Sequence, residues 1–485
     1  MRRPKDASTG VIGDLVSGQA KFLSGDLMRH VVSMSAAASV GLMAIFLVDL
    51  ADLYFISLLG EAELAASVGY ASAILFFTTS VGIGLAIAMG ALVARSLGAG
   101  DKERAREYST TVLAFSLALS VPVTGLVWAF LPELVALVGA RGRTAELAVS
   151  YLSIVVPSVP AMFCLMSGGA ILRAHGDARR AMMATIFAGV TNGILDPILI
   201  FGLGPIPGYG LEGAAMASVA ARFVGAAVAI APIVYRYGGF APLRLESVFA
   251  DLPSISKLAF PAMLTNVATP IGSAYVTRLI AEFGDSAVAG YAIVGRLTPV
   301  AFGLVFAISG AIGPIVGQNF GARDFNRVRG ALTAALKFLG VYVLAASAIL
   351  FLGRHLIADA FGAEGDAREL VLLFCGPLAL AFFFNGVLFV SNASFNNLER
   401  PLTSTLLNWG RHTIGTIPLA MAGAALFGAP GVLIGQALGG LIFAGLAIWQ
   451  AYALVDHHER LKDHPERTPK LGLRLPQWPF SSPRG

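Results

Sequence analysis

Charged residues are scarce in this sequence of 485 residues. Asp, Glu, Lys and Arg together make up 13% of it, whereas a soluble domain carries about 25%. Hydrophobic residues reach 56%, and the mean hydropathy is +0.75. This composition excludes an ordinary soluble domain and predicts a protein that crosses the membrane many times.

The sequence also lacks the cysteine and histidine patterns of a disulfide framework or a metal site. Cys164 and Cys375 lie in different apolar segments, so we expect neither a disulfide nor a metal site. Of the seven histidines only His412 falls in the interior of an apolar segment, where we expect it to pack. No metal-ligand spacing, nucleophile elbow or phosphate-binding loop occurs in a supporting context, so we expect neither an enzyme nor a cofactor.

Windows of about 20 apolar residues, the length that spans a bilayer, recur along the whole chain. They predict an all-α polytopic membrane protein with twelve transmembrane helices. The predicted spans are 30–58, 64–94, 107–131, 146–172, 179–202, 211–236, 256–281, 287–315, 329–353, 368–391, 403–425 and 429–455.

Lys and Arg residues are distributed unevenly between the two sides of these spans. With both termini on one side, the tails and even-numbered loops contain 25 of them, and the opposite loops contain only Arg141, Arg143, Arg354 and Arg368. The positive-inside rule therefore predicts that both termini are cytoplasmic. This topology accounts for the net charge of +5, so we expect the lipid bilayer, and not nucleic acid, as a partner.

An internal duplication divides the chain into two halves. VARSLGAGDKERAR from Val93 recurs, at a shift of 223, as VGQNFGARDFNRVR from Val316, and GLEGAAMASVA from Gly210 corresponds to GAPGVLIGQAL from Gly428. In the first pair, Gly-Ala-x-Asp predicts a turn whose Asp caps the next helix. Because six spans preserve orientation, the halves form a parallel repeat, which is typical of transporters with a substrate site between the halves.

The repeat predicts two pseudo-symmetric six-helix lobes. The expected organisation is an N-terminal segment 1–28, an N-lobe 29–236, a linker 237–255, a C-lobe 256–455 and a C-terminal tail 456–485. Both terminal segments and the linker are expected on the cytoplasmic side.

The acidic residues at membrane depth within the predicted spans are Asp49, Asp52 and Asp196, all in the first half. An acidic side chain inside a membrane is energetically costly and indicates a functional site. If packing required these acids, both halves should carry them, so their confinement to one half favours a functional role. Asp49 and Asp52 are three residues apart and face roughly the same way on a helix. Asp49 is a secondary candidate, for which a structural role is favoured.

Asn192, Asp196 and Pro197 stand together in the fifth predicted span. Asn192 and Asp196 are four residues apart and share one helix face. Pro197 disfavours the α conformation at Asp196 and lacks the N–H that would bind the Gly193 carbonyl. This cluster of oxygens predicts a site for a proton or Na⁺, since hard cations prefer oxygen ligands. A buried hydrogen-bonded network with a structural role is the alternative.

Motifs that are weak singly occur here in a characteristic order and spacing. They are DLYFISLLG from Asp52, SLGAGD from Ser96, LRAHGDARRAM from Leu172, NGILDPILIFGLGP from Asn192 and FGAPGVLIGQALGG from Phe427. Over roughly residues 25–455 the sequence resembles the multidrug and toxic compound extrusion (MATE) transporters, in their DinF-like prokaryotic branch. The resemblance implies a monomer in the plasma (inner) membrane of a prokaryote. It also implies cation-coupled export of small drug-like compounds, often cationic or amphiphilic, by alternating access between two lobes.

The resemblance also implies which residues form the cation site. In that branch the site comprises a first-span Asp, an Asn four residues before a fifth-span Asp, and a sixth-span Thr. The first three correspond here to Asp52, Asn192 and Asp196, and Ser218 stands in place of the Thr. A proton, or Na⁺ at Asp52, Asn192 and Asp196, would be the coupling ion, and the residue types leave that choice open. The family's first-span proline falls at Ala37, so bending of the span at a proline is not implied here.

A second function stays open, that of a lipid-linked oligosaccharide or polysaccharide flippase of the same superfamily. Such a protein should present several basic residues toward the central cavity to hold pyrophosphate. The first half of this sequence offers only Arg222 at depth. The intramembrane acids therefore favour the antiporter.

Overall fold

The computed structural model describes residues 20–463, and nearly all of them are helical. The helices are α1 (Leu27–Ser57), α2 (Ala62–Gly98), α3 (Lys102–Ala129), α4 (Leu131–Leu137), α5 (Gly142–Val155), α6 (Val159–Ala174), α7 (Ala178–Phe201), α8 (Gly210–Arg236), α9 (Leu245–Ala281), α10 (Asp285–Gly321), α11 (Phe325–Ala360), α12 (Gly365–Leu373), α13 (Ala379–Asn397), α14 (Pro401–Gly410) and α15 (Thr416–Asp463). A 3₁₀ turn (Lys21–Leu23) precedes α1, and the strands β1 (Gly202–Leu203) and β2 (Ile206–Pro207) pair antiparallel after α7. The predicted all-α class is confirmed. Residues 1–19 of the predicted N-terminal segment and residues 464–485 of the predicted C-terminal tail lie outside the described residues.

Twelve membrane crossings can be traced through these helices. By length and composition, 10 helical stretches of the described chain are apolar enough to cross a membrane. One of them, Pro401–Lys462, turns back on itself and supplies two crossings. The proline-containing helix α9 supplies the remaining one. The prediction of twelve helices in two six-helix lobes is therefore confirmed.

A helical hairpin produces the turn within α15. Gly428 has a φ of 64°, which is costly for residues with a side chain. The backbones of the two helical arms that flank Gly428 are in direct contact. A β carbon at Gly431 would lie 1.9 Å from the Gly423 carbonyl oxygen, and a β carbon at Gly435 would lie 2.1 Å from the Leu419 carbonyl oxygen. These glycines let the last two crossings pack antiparallel at close range.

The duplicated turns end in capping Asp side chains, as the sequence predicted. Asp101 accepts a hydrogen bond from the backbone N–H of Arg104 (2.9 Å), and Asp324 accepts one from that of Arg327 (3.0 Å). Each bond satisfies an N–H in the first turn of its helix. The two halves therefore repeat a local structure as well as a sequence.

The linker is partly helical. Helix α9 begins at Leu245, inside the predicted linker 237–255, and its first turns pack against α3. The buried Asp251 forms an ion pair with Arg104 and accepts a hydrogen bond from the Thr111 hydroxyl (3.0 Å). The linker is thus attached to the N-lobe.

The lobes meet at one end of the molecule, which we call the basic face because its loops carry Lys102, Arg179, Arg323 and Arg400. Here α2 and α10 cross in backbone contact. A β carbon at Gly98 would lie 1.9 Å from the Gln318 carbonyl oxygen, and one at Gly321 would lie 2.0 Å from the Arg95 carbonyl oxygen. The shift of 223 relates Arg95 to Gln318 and Gly98 to Gly321. We call this two-fold contact the glycine crossing.

Buried apolar clusters show that the lobes separate away from the basic face. Near that face the clusters are shared, since Val31 of α1 packs with the C-lobe and Leu258 of α9 packs with the N-lobe. At the opposite end each cluster stays within one lobe, around Ile56 in the N-lobe and Val276 in the C-lobe. The molecule is therefore closed at the basic face and splayed at the opposite face.

The chain before α1 also joins the two lobes. Phe22 is fully buried, its N–H donates to Oε1 of Gln318 (2.8 Å), and its carbonyl accepts from Arg327 (2.9 Å). The neighbouring Lys21 donates to the Gly176 carbonyl of the N-lobe (2.7 Å). Residues 20–25 thus form a strap across the closed basic face, which sequence analysis did not predict.

Removing the Phe22 ring is expected to weaken this closed state. Phe22→Ala should destabilise the protein by about 3–5 kcal/mol, because a buried phenyl is replaced by a void. Thermal unfolding in lipid nanodiscs measures the change. Leu23→Ala is the control, since the adjacent side chain is only half-buried and should cost less. Equal stability of Phe22→Ala and the parent would show that the strap does not hold the lobes.

Candidate functional site

Two carboxyl groups face each other in the N-lobe where α1 and α7 pack side by side. Asp52 and Asp196 each lie five residues before their helix ends, at Ser57 and Phe201 respectively. Their side chains are within hydrogen-bonding range of each other. Asp196 is fully buried, and Asp52 borders a cavity between the lobes. The structure thus brings together the two acids that the sequence assigned to one site.

Glycines allow α1 and α7 to approach each other. A β carbon at Gly189 would lie 2.9 Å from Cγ2 of Val48, and one at Gly41 would lie 3.6 Å from the Met182 backbone. Close helix packing of this kind is typical of membrane proteins. It brings the helices that carry the two carboxyl groups side by side.

Asn192 completes this pair from the preceding turn of α7. Its Nδ2 donates to Oδ1 of Asp196 at 3.4 Å, so the predicted shared helix face is confirmed. Three buried oxygens have no partner among the described residues: Oδ1 of Asp52, Oδ1 of Asn192 and Oδ2 of Asp196. Such a group of adjacent oxygen acceptors is suited to hold a proton or a cation.

The helix runs through Asp196 and Pro197 without a break. The expectation that Pro197 moves Asp196 out of the α conformation is therefore wrong. Packing of α7 against α1 and α8 outweighs the local preference, as happens in membrane helices whose neighbours compensate for a proline. Because proline has no N–H, the Gly193 carbonyl still lacks its helical partner.

Ser218 lies in a second group of polar residues beside the acids. It lines the cavity and lies close to the buried Tyr151. Tyr151 is also within electrostatic reach of Asp52, Asp196 and Arg222. The proposed role of Ser218 as a cation ligand stays a prediction. Tyr151 was not predicted as a site residue, because a single tyrosine in an apolar span resembles an interfacial one.

Arg222 is held by the wall of the N-lobe. Its Nη1 donates to Oγ of Ser158 (2.9 Å) and to the Val155 carbonyl (3.3 Å). By contrast, Arg173 lines the same cavity and makes no side-chain hydrogen bond within residues 20–463. Two arginines of the N-lobe therefore border the cavity, one fixed and one available to a ligand.

The cavity between the lobes has a volume of about 770 Å³. Asp49, Asp52, Arg173 and Arg222 bring charge to its N-lobe wall. Among the described residues, no charged side chain of the C-lobe lines it; that wall carries amides, hydroxyls and two phenyl rings. His412 is buried outside the cavity.

This arrangement can bind one cation at a carboxyl pair. Burial disfavours two adjacent carboxylates, and a bound proton or cation relieves that cost. Because Asp52 borders the cavity while Asp196 lies behind it, a ligand in the cavity and an ion at the pair act on the same charges. The site can therefore couple ion binding to events in the cavity.

The family described as MatE matches this sequence twice, over residues 37–198 and 261–422. The second stretch begins and ends 224 residues after the first. This offset agrees with the internal repeat, whose shift is 223 in the turn before α3 and α11. The duplication predicted from the sequence is confirmed.

Two curated relatives are similar over nearly their whole length. An FAD transporter of Shewanella oneidensis is 28% identical over 430 residues, which cover 88% of this chain and 95% of that protein. The multidrug export protein MepA of Staphylococcus aureus is 23% identical over 441 residues, covering 90% of this chain and 96% of that protein.

Solved structures show the same fold. The bent form of the Vibrio cholerae MATE transporter VcmN matches with a TM-score of 0.84 at 23% identity, covering 90% of this chain and 98% of that one. The fold of two six-helix lobes around a central cavity is therefore shared.

Proposed function

Because this chain belongs to the MatE family of multidrug and toxic compound extrusion transporters, we propose that it is an antiporter that exports organic compounds in exchange for H⁺ or Na⁺. The observation that carries this proposal is the pair of facing carboxyl groups, Asp52 and Asp196, in one lobe only, beside the cavity. A pair needed for folding alone would have no reason to border the substrate path.

The ion would act by favouring one of two conformations. An empty, charged pair favours a hydrated and open arrangement, whereas a loaded pair tolerates closure around it. The ion then shifts the equilibrium by its difference in affinity for the two states. Because Asp52 also faces the cavity, a cationic substrate and the ion would compete, and this competition makes exchange obligatory.

The basic face would lie in the cytoplasm, following the positive-inside rule. The structure, closed at that face and splayed at the other, would then be the outward-facing state. We place the protein in the plasma (inner) membrane of a prokaryote, with both termini cytoplasmic and one copy of the chain per transporter. Residues 20–25 and the glycine crossing would separate when the transporter opens inward.

Organic cations and amphiphilic compounds are the proposed substrates. The relative MepA is a multidrug export protein, and the cavity volume is in the range of drug-sized ligand sites. Asp49 and Asp52 give the N-lobe wall two acids that would attract a cation. The C-lobe wall adds neutral polar groups that would accommodate varied structures.

A flavin dinucleotide is the second candidate substrate. A relative of this chain is an FAD transporter, and Arg173 presents an unoccupied guanidinium that suits a pyrophosphate. The flippase alternative relies on the same group, yet it requires several free bases, whereas Arg222 is already bonded to Ser158. Transport of a soluble dinucleotide or of a lipid-linked sugar distinguishes the two.

Dye transport by proteoliposomes under separately imposed H⁺ and Na⁺ gradients tests the proposal. A tenfold ion gradient supplies about 1.4 kcal/mol per ion. One-for-one exchange should therefore concentrate ethidium up to about tenfold under the coupling ion and not under the other. FAD in place of ethidium tests the second candidate. Vesicles that respond to neither gradient with either compound would contradict ion-coupled export.

A further inference from the structure

The internal repeat places two equivalent grooves at the basic face. The strap fills the first of them, which lies between the turn before α7 and the turn before α11. Gln318 and Arg327 form hydrogen bonds with the Phe22 backbone there. The Gly176 carbonyl accepts a hydrogen bond from Lys21. We call this first groove the strap groove.

The second groove is a cavity of about 850 Å³ between the turn before α14 and the turn before α3. The shift of 223 relates the three residues that hold the strap to Arg95, Arg104 and Glu399. All three line this cavity, which we call the open groove. It is therefore the counterpart of the strap's binding site, and no segment within residues 20–463 fills it.

Basic side chains outnumber acidic ones around the open groove. Its two acids are already engaged. Glu399 pairs with Arg95 across the lobes (3.4 Å), and Asp101 accepts a hydrogen bond from the first turn of α3 (2.9 Å). Three further bases line the groove and have no acidic partner in the described part of the chain. They are Lys257, Arg323 and Lys462.

Two residues with unusual backbone geometry line the same groove. Arg323 and Glu399 have φ values of 57° and 63°, and no other non-glycine residue among those described has a positive φ. At the equivalent positions the first half carries Gly100 and Gly176, which adopt such values without steric cost. Strained residues of this kind cluster at functional sites. The second half thus accepts backbone strain where it places charge in the open groove.

A phosphate group matches the open groove better than a second peptide segment does. In the strap groove the neutral amides of Gln318 and Asn319 bond to the neutral backbone of the strap (2.8 and 3.2 Å). The equivalent residues of the open groove are Arg95 and Ser96. Arginine and lysine bind phosphate oxygens through charge-assisted hydrogen bonds. Basic pockets between membrane helices on the cytoplasmic side are suited to lipid head groups.

We propose that the open groove binds a phosphate-bearing anion, either the head group of an anionic phospholipid or a free phosphate, through Lys257, Arg323 and Lys462. Arg95 and Arg104 of the N-lobe line the same groove, so the bound anion joins the two lobes and stabilises the closed basic face, as the strap does in its own groove. This site is separate from the cavity beside the acids, because the two share no lining residue. The inference therefore goes beyond the proposed export.

Thermal unfolding of the full chain in neutral detergent micelles tests the inference. A ligand that binds the folded protein raises the melting temperature as its concentration rises. Inorganic phosphate, short-chain phosphatidylglycerol and short-chain phosphatidylcholine, whose phosphate is neutralised by choline, are titrated separately at constant ionic strength. The parent should be stabilised by one or both of the first two and not by the third. Stabilisation by phosphatidylglycerol alone identifies a lipid head group, and stabilisation by phosphate identifies the free anion.

Arg323→Gly removes one base and introduces the residue that the first half carries at Gly100. Because glycine tolerates the positive φ, the variant without ligand should melt close to the parent. Its affinity for the stabilising probe should fall about five- to tenfold. Lys257→Gln, at an exposed position of α9, should weaken binding in the same direction. Arg179→Ala is the matched control, since that exposed base lies at the same face outside the groove and its loss should change the affinity less than about twofold.

Three results would overturn the inference. One is a parent that neither inorganic phosphate nor phosphatidylglycerol stabilises, or that phosphatidylcholine stabilises equally. Another is equal weakening in Arg323→Gly and Arg179→Ala, which would show that the probes respond to the charge of the whole face. The third is unchanged affinity in both Arg323→Gly and Lys257→Gln, which would place the anion elsewhere.

Discussion

Asp196→Asn is expected to lower ion-driven dye efflux about a hundredfold, toward the rate of vesicles without protein. Asparagine keeps the shape of the side chain but cannot change its charge, so loading no longer alters the balance between the two conformations. Asp52→Asn should act in the same direction, because the two side chains face each other. Efflux from proteoliposomes under the coupling gradient measures both effects.

Asp366→Asn is the matched control for these variants. Asp366 lies in the first turn of α12, is exposed and does not line the cavity, so efflux by this variant should stay within about twofold of the parent. Thermal unfolding separates coupling from folding, since Asp196→Asn removes one of two adjacent buried carboxyl groups and should not destabilise the protein. Parental efflux in both Asp52→Asn and Asp196→Asn would refute the ion site. Marked destabilisation by Asp196→Asn would support a structural network instead.

Much of the fold could be predicted because its signals are periodic or repeated. Long apolar runs give the crossings, and the recurrence of the turn at Asp101 and Asp324 gives the two lobes. The strap at Phe22 was not predictable, because nothing in residues 20–25 indicates that they pack between distant helices. The helical start of α9 was missed because its residues are too polar to read as a span.

The residues of the candidate site likewise include some that the sequence predicts and some that it does not. Asp52, Asn192 and Asp196 stand out because acidic side chains and their neighbours are costly in a membrane. Tyr151 and Asn392 do not stand out, since tyrosine and asparagine are tolerated in many membrane helices. Their placement beside the acids or the cavity depends on how distant helices pack, which one sequence does not specify.

The two lobes carry different chemistry on equivalent scaffolds. Charged groups that border the cavity come from the N-lobe, and the C-lobe contributes neutral amides, hydroxyls and phenyl rings. An ion held at Asp52 and Asp196, as proposed, would therefore change the charge of one wall and leave the other unchanged. If ion exchange proceeds as proposed, substitutions in the N-lobe wall should affect coupling, and substitutions in the C-lobe wall should not.

Gly98→Ala is expected to prevent closure of the basic face and to abolish most efflux. The added β carbon would lie 1.9 Å from the Gln318 carbonyl oxygen. Because the atoms in contact belong to the backbone of both helices, no flexible side chain can move aside. Overpacking costs about 1–3 kcal/mol, which shifts a two-state ratio about five- to hundredfold. Gly321→Ala should have the same effect, because it creates the reciprocal contact with Arg95 at 2.0 Å.

The accessibility of a single cysteine reports this shift directly. The background for this test is a protein in which Cys164 and Cys375 are replaced and Asn397→Cys is introduced at the end of the cavity nearest the basic face. A membrane-impermeant maleimide added at the basic face should label this cysteine faster when Gly98→Ala is also present. Gly90→Ala on the same helix is the control, since its β carbon would meet only Ala170 at 3.9 Å. Unchanged labelling and efflux in both Gly98→Ala and Gly321→Ala would mean that the glycine crossing accommodates the added methyl group while the lobes stay in contact. In that case the strap of residues 20–25 would have to hold the face closed, a role that Phe22→Ala tests independently.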